Sequence, residues 1–122
     1  MRFKIISCSV LSDYMQDDQC LLIDLRDFSE YCLGHIPGAH WVDWQNVEAR
    51  VQELIRSYQK KYHSCPCWLI LYCEHGNISL VTARDLARRG YPVISLNGGW
   101  QRWQGAVETG YPPDVMYRHP SA

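Results

Sequence analysis

The sequence predicts an α/β domain built on a parallel sheet. Three short runs, at residues 20–25, 67–72 and 92–96, are almost continuously apolar, which is typical of strands in the interior of a parallel sheet. Helical patterns separate these runs, and strands that alternate with helices in one compact unit favour this fold class. The chain has 122 residues, the size of one domain with a single buried core.

Local patterns predict the elements of the first half of the chain. Asp43 is a typical N-cap residue, and apolar side chains follow it with the spacing of one helical face, at positions 47, 51, 54, 55 and 58. In chain order, the predicted elements are a strand at 3–6, a helix at 9–15, a turn at 17–19, a strand at 20–25, a helix at 27–32 that Gly34 stops, a strand at 39–43 and the helix capped by Asp43.

The second half continues the alternation. A strand at 67–72 precedes a helix at 79–89, which Gly90 is suited to end. A strand at 92–96 follows, and after two glycines comes a short helix that contains tryptophan. We expect residues 1–110 to form one domain and the proline-containing residues 111–122 to form a loosely packed tail.

Composition gives no sign of several function classes. The net charge of -1 and the 20% of charged residues offer no reason to expect a nucleic-acid or membrane partner. No segment approaches the ~20 apolar residues that span a bilayer, and the N-terminal residues read as part of the fold. The six cysteines fit reduced thiols in a chain with a proper core, so we expect a cytoplasmic protein rather than a disulfide framework.

The segment between the strand at 67–72 and the helix after it carries the candidate chemistry. Its residues are Cys73, Glu74, His75, Gly76, Asn77, Ile78 and Ser79. Ligands of open α/β sheets bind outside the carboxyl ends of the strands, and the free N–H groups of a helix N-terminus favour anions and thiolates there. Gly76 and Asn77 tolerate the backbone needed to curl a loop around one atom. The loop alone leaves two interpretations open: Cys73 as a nucleophile, or Cys73 as a small apolar residue that ends a core strand.

Three separated blocks of the sequence resemble the rhodanese-like domain family, over nearly the whole chain. They are "LLIDLRDFSEYCLGHIPGAHWVD", "LILYCEHGNISLVTARDLARRGY" and "VISLNGGWQRW". The resemblance implies a single rhodanese-like domain with a five-stranded parallel sheet flanked by helices. It also implies that Cys73 takes a sulfane sulfur from a small-molecule or protein donor, holds it as a persulfide and passes it to a thiol or to cyanide. No metal and no organic cofactor is expected.

The loop departs from the family pattern in its charge. Many members carry an arginine just before the serine that opens the helix, whereas this chain has Ile78, and neither Arg nor Lys occurs elsewhere in the loop. We therefore expect a persulfide to be a better donor than thiosulfate. Asp24 and Arg26, at the end of a neighbouring strand, are expected to support the loop through a salt link or hydrogen bonds.

Two other function classes compete with sulfur transfer. A cysteine-dependent phosphatase or arsenate reductase needs an arginine six residues after the cysteine to grip the oxyanion, and this chain has Ser79 there. A non-catalytic rhodanese-like module used for protein binding is the better alternative, although this chain keeps both the cysteine and the loop glycine. Cys65-Pro66-Cys67 lacks the paired spacing of a structural zinc site, so no metal site is expected.

Overall fold

A parallel sheet of five strands organises the residues that the computed structural model describes, which are 2–16 and 19–110. The strand order is β1-β5-β4-β2-β3, and each neighbouring pair is parallel. The strands are β1 (Phe3–Ser7), β2 (Cys20–Asp24), β3 (His40–Trp41), β4 (Trp68–Tyr72) and β5 (Val93–Asn97). The α/β fold class and the five-stranded parallel sheet expected from the sequence are confirmed.

Helices pack on both faces of this sheet. The α-helices are α1 (Leu11–Met15), α2 (Phe28–Leu33), α3 (Val47–Tyr62), α4 (Asn77–Arg88) and α5 (Gly99–Arg102). Short 3-10 turns at Cys8–Val10 and Trp44–Asn46 precede α1 and α3. One core layer joins the sheet to α3 and α4, and the other joins it to α1, α2 and the tryptophan of α5.

Several boundaries differ from the sequence prediction. Asp43 caps the 3-10 turn by accepting the Gln45 N–H at 3.0 Å, so the long helix begins only after Asn46. β3 has two residues instead of the five predicted, because it is an edge strand paired with β2 alone and the chain turns away to form that cap. α4 starts two residues earlier than predicted, directly after Gly76. Most of the predicted turn at 17–19 and the predicted tail at 111–122 lie outside the described residues.

The register of the sheet brings the candidate residues to one edge. β2 and β4 are aligned so that Asp24 pairs with Tyr72, and the chain beyond each pair leads to Arg26 and Cys73. β5 pairs with β4 on the other side and ends at Asn97, directly before Gly98 and Gly99. The middle strand of the three, β4, has four fully buried residues before it reaches Cys73. The thiol therefore follows the central strand of the sheet.

Candidate active site

The sulfur of Cys73 accepts hydrogen bonds from two backbone amides of the loop, those of Gly76 and Ser79, which form the amide ring of this site. Its Sγ accepts the N–H of Gly76 at 3.1 Å and the N–H of Ser79 at 3.4 Å. Ser79 lies in the first turn of α4, where N–H groups have no partner within the helix. Cys73 itself is 3% exposed. Both the aligned amides and the positive end of the helix dipole favour a negative charge on this sulfur.

A glycine with an unusual backbone conformation makes this ring possible. Gly76 has φ +101, a value that L side chains rarely adopt. A Cβ placed on Gly76 would also lie 3.0 Å from the backbone nitrogen of Gly98. The loop from β4 can therefore curl around the sulfur and approach the segment after β5 only with glycine at position 76.

The segment that follows β5 is hydrogen-bonded to the start of the loop. The N–H of Trp100 donates to the Cys73 carbonyl at 2.8 Å, and the N–H of Gln101 donates to the Glu74 carbonyl at 3.0 Å. Gly99 allows this approach, since a Cβ there would be 2.2 Å from the Cys73 carbonyl oxygen. The closing Gly-Gly pair of the sequence thus has a direct structural role beside the thiol, one that the linear pattern does not reveal.

Two buried serine hydroxyls support the other end of the loop. Ser79 Oγ donates to the Gly76 carbonyl at 3.2 Å and lies 3.0 Å from Ser95 Oγ on β5. Ser79 is completely buried, and Ser95 is 1% exposed. Ser95 was not predicted from the sequence, where its only signal is that it is a polar residue within an otherwise apolar strand.

Asp24 and Arg26 form a buried ion pair at the neighbouring strand end. Arg26 Nη2 lies 2.9 Å from Asp24 Oδ2, and the guanidinium also donates to the Gly34 carbonyl at 2.5 Å. Burial alone would lower the pKa of Arg26, but the hydrogen bond to Asp24 and its negative charge outweigh burial and raise it. The guanidinium lies 4.3 Å from the centre of the Trp100 ring. Its positive charge is thus balanced within the protein.

The ion pair reaches the loop through Glu74. Arg26 Nη1 lies 3.8 Å from Glu74 Oε1, and the other carboxylate oxygen of Glu74 accepts from the side-chain amide of Gln101. Glu74 is therefore turned toward Arg26 and α5. In contrast, His75, Asn77 and Ile78 are exposed, and Ile78 keeps 40% of its surface accessible. Among these outward-facing loop residues none carries a fixed positive charge.

A buried tyrosine, Tyr72, lies next to the Asp24–Arg26 ion pair. The hydroxyl of Tyr72 accepts the Ile36 N–H at 3.1 Å. Burial and then the nearby charge of Asp24 raise the pKa of Tyr72 well above its ordinary value. The phenol stays neutral, and it links β4 to the turn that follows α2.

The histidine of that turn is structural. His35 is 5% exposed, its Nδ1 lies 2.9 Å from the Tyr31 carbonyl, and its ring stacks on the Tyr31 ring at 3.7 Å. Its backbone pairs with Glu108 in both directions at 2.9 Å. Its hydrogen bonds thus go to the backbone of the turn and of the segment around Glu108.

Other cysteines are poorly placed to react with Cys73. Burial raises the pKa of the Cys8 and Cys32 thiols, an effect that Arg102 partly offsets at Cys8. β5 separates β1 from β4, so the Cys8 and Cys73 backbones are roughly 10 Å apart, beyond the ~7 Å limit for a disulfide. A disulfide between them would need the strands to move.

The cysteines at the amino-terminal ends of β2 and β4, Cys20 and Cys67, do not converge. Cys20 pairs with Trp68, so these two side chains share one face, and Cys67, one residue earlier, faces the other. The Cys20 thiol donates to the Tyr14 carbonyl, while the Cys67 thiol donates to a glutamine side chain. Within residues 2–16 and 19–110, no three His, Cys, Asp or Glu side chains are grouped to hold a metal ion. None of the described helices is long and apolar enough to cross a membrane.

Comparison with known proteins identifies a family model and relatives that match most of the chain. The family model described as "Rhodanese-like domain" matches residues 7–106. A thiosulfate sulfurtransferase GlpE from Pseudoalteromonas translucida is 30% identical over 87% of this chain and 93% of its own length. The GlpE of Pseudomonas fluorescens is 32% identical over 83% of this chain and 82% of its own length.

Solved structures share the fold at lower identity. A rhodanese-like domain protein from Staphylococcus aureus superposes with a TM-score of 0.66 at 19% identity, over 87% of this chain and 97% of that one. The Alr3790 protein from Anabaena superposes with a TM-score of 0.72 at 22% identity, over 93% of this chain and 87% of that one. The family model spans β2 to β5 and the last residue of β1, and this chain belongs to the rhodanese-like domain family.

Proposed function

We propose that this protein is a sulfurtransferase that carries a sulfane sulfur on Cys73 as a persulfide. The observation that carries the proposal is the position of Cys73 Sγ, which follows a buried strand and accepts the N–H groups of Gly76 and Ser79. Such a ring stabilises an anionic sulfur without giving it a proton, because backbone amides do not release a proton near neutral pH. The family and the names of its curated relatives support the same reaction class.

The chemistry needs two displacements at sulfur. In the first, the Cys73 thiolate attacks the outer sulfur of the donor, the sulfur–sulfur bond of the donor breaks, and the donor leaves with the electron pair as a thiolate or as sulfite. In the second, an acceptor thiolate or cyanide attacks the terminal sulfur of the persulfide and releases the Cys73 thiolate. The sulfane sulfur keeps its oxidation state throughout, so the cycle uses no redox cofactor and no metal.

The charges around the loop favour a persulfide, on a small molecule or a protein, over thiosulfate as the donor. Thiosulfate arrives as a dianion and leaves as sulfite, so it gains from a cation at the loop. The Arg26 guanidinium is occupied by Asp24 and Glu74, and its side chain is only 3% exposed. Ile78 adds no charge at the mouth of the loop. A persulfide donor brings less negative charge and leaves as a thiolate, which the amide ring alone can serve.

Replacing the thiol tests the proposed function. Cys73→Ser keeps the size of the side chain at a buried position, so the protein should remain folded, and sulfur transfer to cyanide should be abolished with either donor. The matched control is Cys67→Ser, which changes an exposed cysteine at the far edge of the sheet and should transfer sulfur like the wild type. Turnover that persists in a folded Cys73→Ser protein would refute the proposal.

A further inference from the structure

A buried hydroxyl on the strand beside the loop reaches the amide ring. Ser95 lies in the middle of β5, between two fully buried apolar residues. The sheet register pairs Ser95 with Leu71, two residues before Cys73, so these side chains share the face that α4 covers. There the Ser95 hydroxyl is 3.0 Å from the hydroxyl of Ser79. A polar side chain this deeply buried retains its place only with a hydrogen-bond partner.

Counting protons gives the direction of this hydrogen bond. A serine hydroxyl has one proton to donate. The Gly76 carbonyl can only accept, so the arrangement that makes both bonds has Ser79 donating to this carbonyl at 3.2 Å and Ser95 donating to Ser79. The linked hydrogen bonds therefore run from Ser95 to Ser79 and on to Gly76. The N–H groups of Ser79 and Gly76 both donate to Cys73 Sγ. The Ser79 hydroxyl has no proton left for the sulfur.

We propose that Ser95 is a positioning residue for sulfur transfer: it fixes Ser79, which holds both amides of the ring on the sulfur of Cys73. The inference rests on the function proposed above. Ser95 lies beneath the loop and away from its exposed residues, so it acts on the alignment of the ring and not on donor binding. Linked hydrogen bonds of this kind reinforce one another in a low-dielectric interior. Loss of the Ser95 hydroxyl should therefore lower kcat and leave KM for the donor unchanged.

The experiment measures steady-state transfer to cyanide in Ser95→Ala, with melting temperature measured alongside. We expect a kcat about tenfold below wild type, the size of effect typical when a buried hydrogen bond loses one partner. KM for the donor should stay within about twofold of wild type. The control is Thr82→Val, which removes a buried hydroxyl from the next turn of α4 and should keep the wild-type kcat.

A second pair of variants separates the hydroxyl from the packing. Ser95→Thr and Ser95→Val have the same shape and differ in the hydroxyl alone, so the threonine variant should retain more kcat than the valine variant. A wild-type kcat in Ser95→Ala, an equal loss in Thr82→Val, or equal activities of the threonine and valine variants would overturn the inference. These outcomes leave the proposed function intact when Cys73→Ser is inactive, so the two proposals fail separately.

Discussion

An arginine at position 78 should improve the use of thiosulfate. Ile78 is 40% exposed at the start of α4 and faces outward from the loop that encloses Cys73 Sγ. Two unit charges 4 Å apart attract by about 1 kcal/mol in water and by about 4 kcal/mol near a protein surface. The exposure of this position places the gain near the lower figure. One kcal/mol corresponds to about a fivefold increase in kcat/KM for a dianionic donor.

The assay compares kcat/KM for thiosulfate and for glutathione persulfide in the wild type and in Ile78→Arg. Val81→Arg is the matched control, because Val81 is exposed on the same helix and lies about 5 Å farther from the loop. At roughly 9 Å in water the same charge should give only about a twofold gain. The advantage of Ile78→Arg should shrink as salt is added, since exposed charges are screened. A wild-type protein that already prefers thiosulfate, or two arginine variants that behave alike, would contradict the proposed effect of charge.

The site and its supports lead to three further predictions. Cys73-dependent hydrolysis of an aryl phosphate should be negligible, because the loop offers amides but no arginine for a dianion; ready turnover would contradict this. Gly99→Ala should lower the free energy of unfolding by more than about 2 kcal/mol, because its Cβ would meet the Cys73 carbonyl oxygen. Gly90→Ala should lower it by only ~1–2 kcal/mol, because Gly90 has φ +98 but no atom lies within 4 Å of the added Cβ. Above pH ~10 the unfolded Tyr72 loses its proton while the folded one keeps it, so stability should fall with rising pH, and Tyr72→Phe should flatten that fall in chemical denaturation.

The sequence predicted the framework because its signals are local. Apolar runs define β2, β4 and β5, and a single glycine after the cysteine marks the loop that becomes the amide ring. Parallel strands end on the same side of a sheet, so the order of strands and helices along the chain places Arg26 and Cys73 on one side, and the family resemblance makes their strands neighbours.

The features that sequence reasoning missed depend on contacts between distant segments. The hydrogen bond between Ser95 and Ser79 joins β5 to α4, and nothing in either segment alone predicts it. The approach of Gly99 to the Cys73 carbonyl likewise requires the relative position of two loops. Glu74 turns toward Arg26 because of an ion pair whose geometry depends on side-chain rotamers, which composition and spacing do not specify.

The most direct test of the central claim is to locate the transferred sulfur by mass spectrometry. Purified protein is incubated with a sulfane-sulfur donor, the excess donor is removed, and the intact mass is compared with that of untreated protein before peptide mapping. We predict a gain of one sulfur atom, located on the peptide that contains Cys73, absent in Cys73→Ser and lost when cyanide is added. A sulfur adduct that maps to one of the other five cysteines, or that persists in Cys73→Ser, would contradict the account.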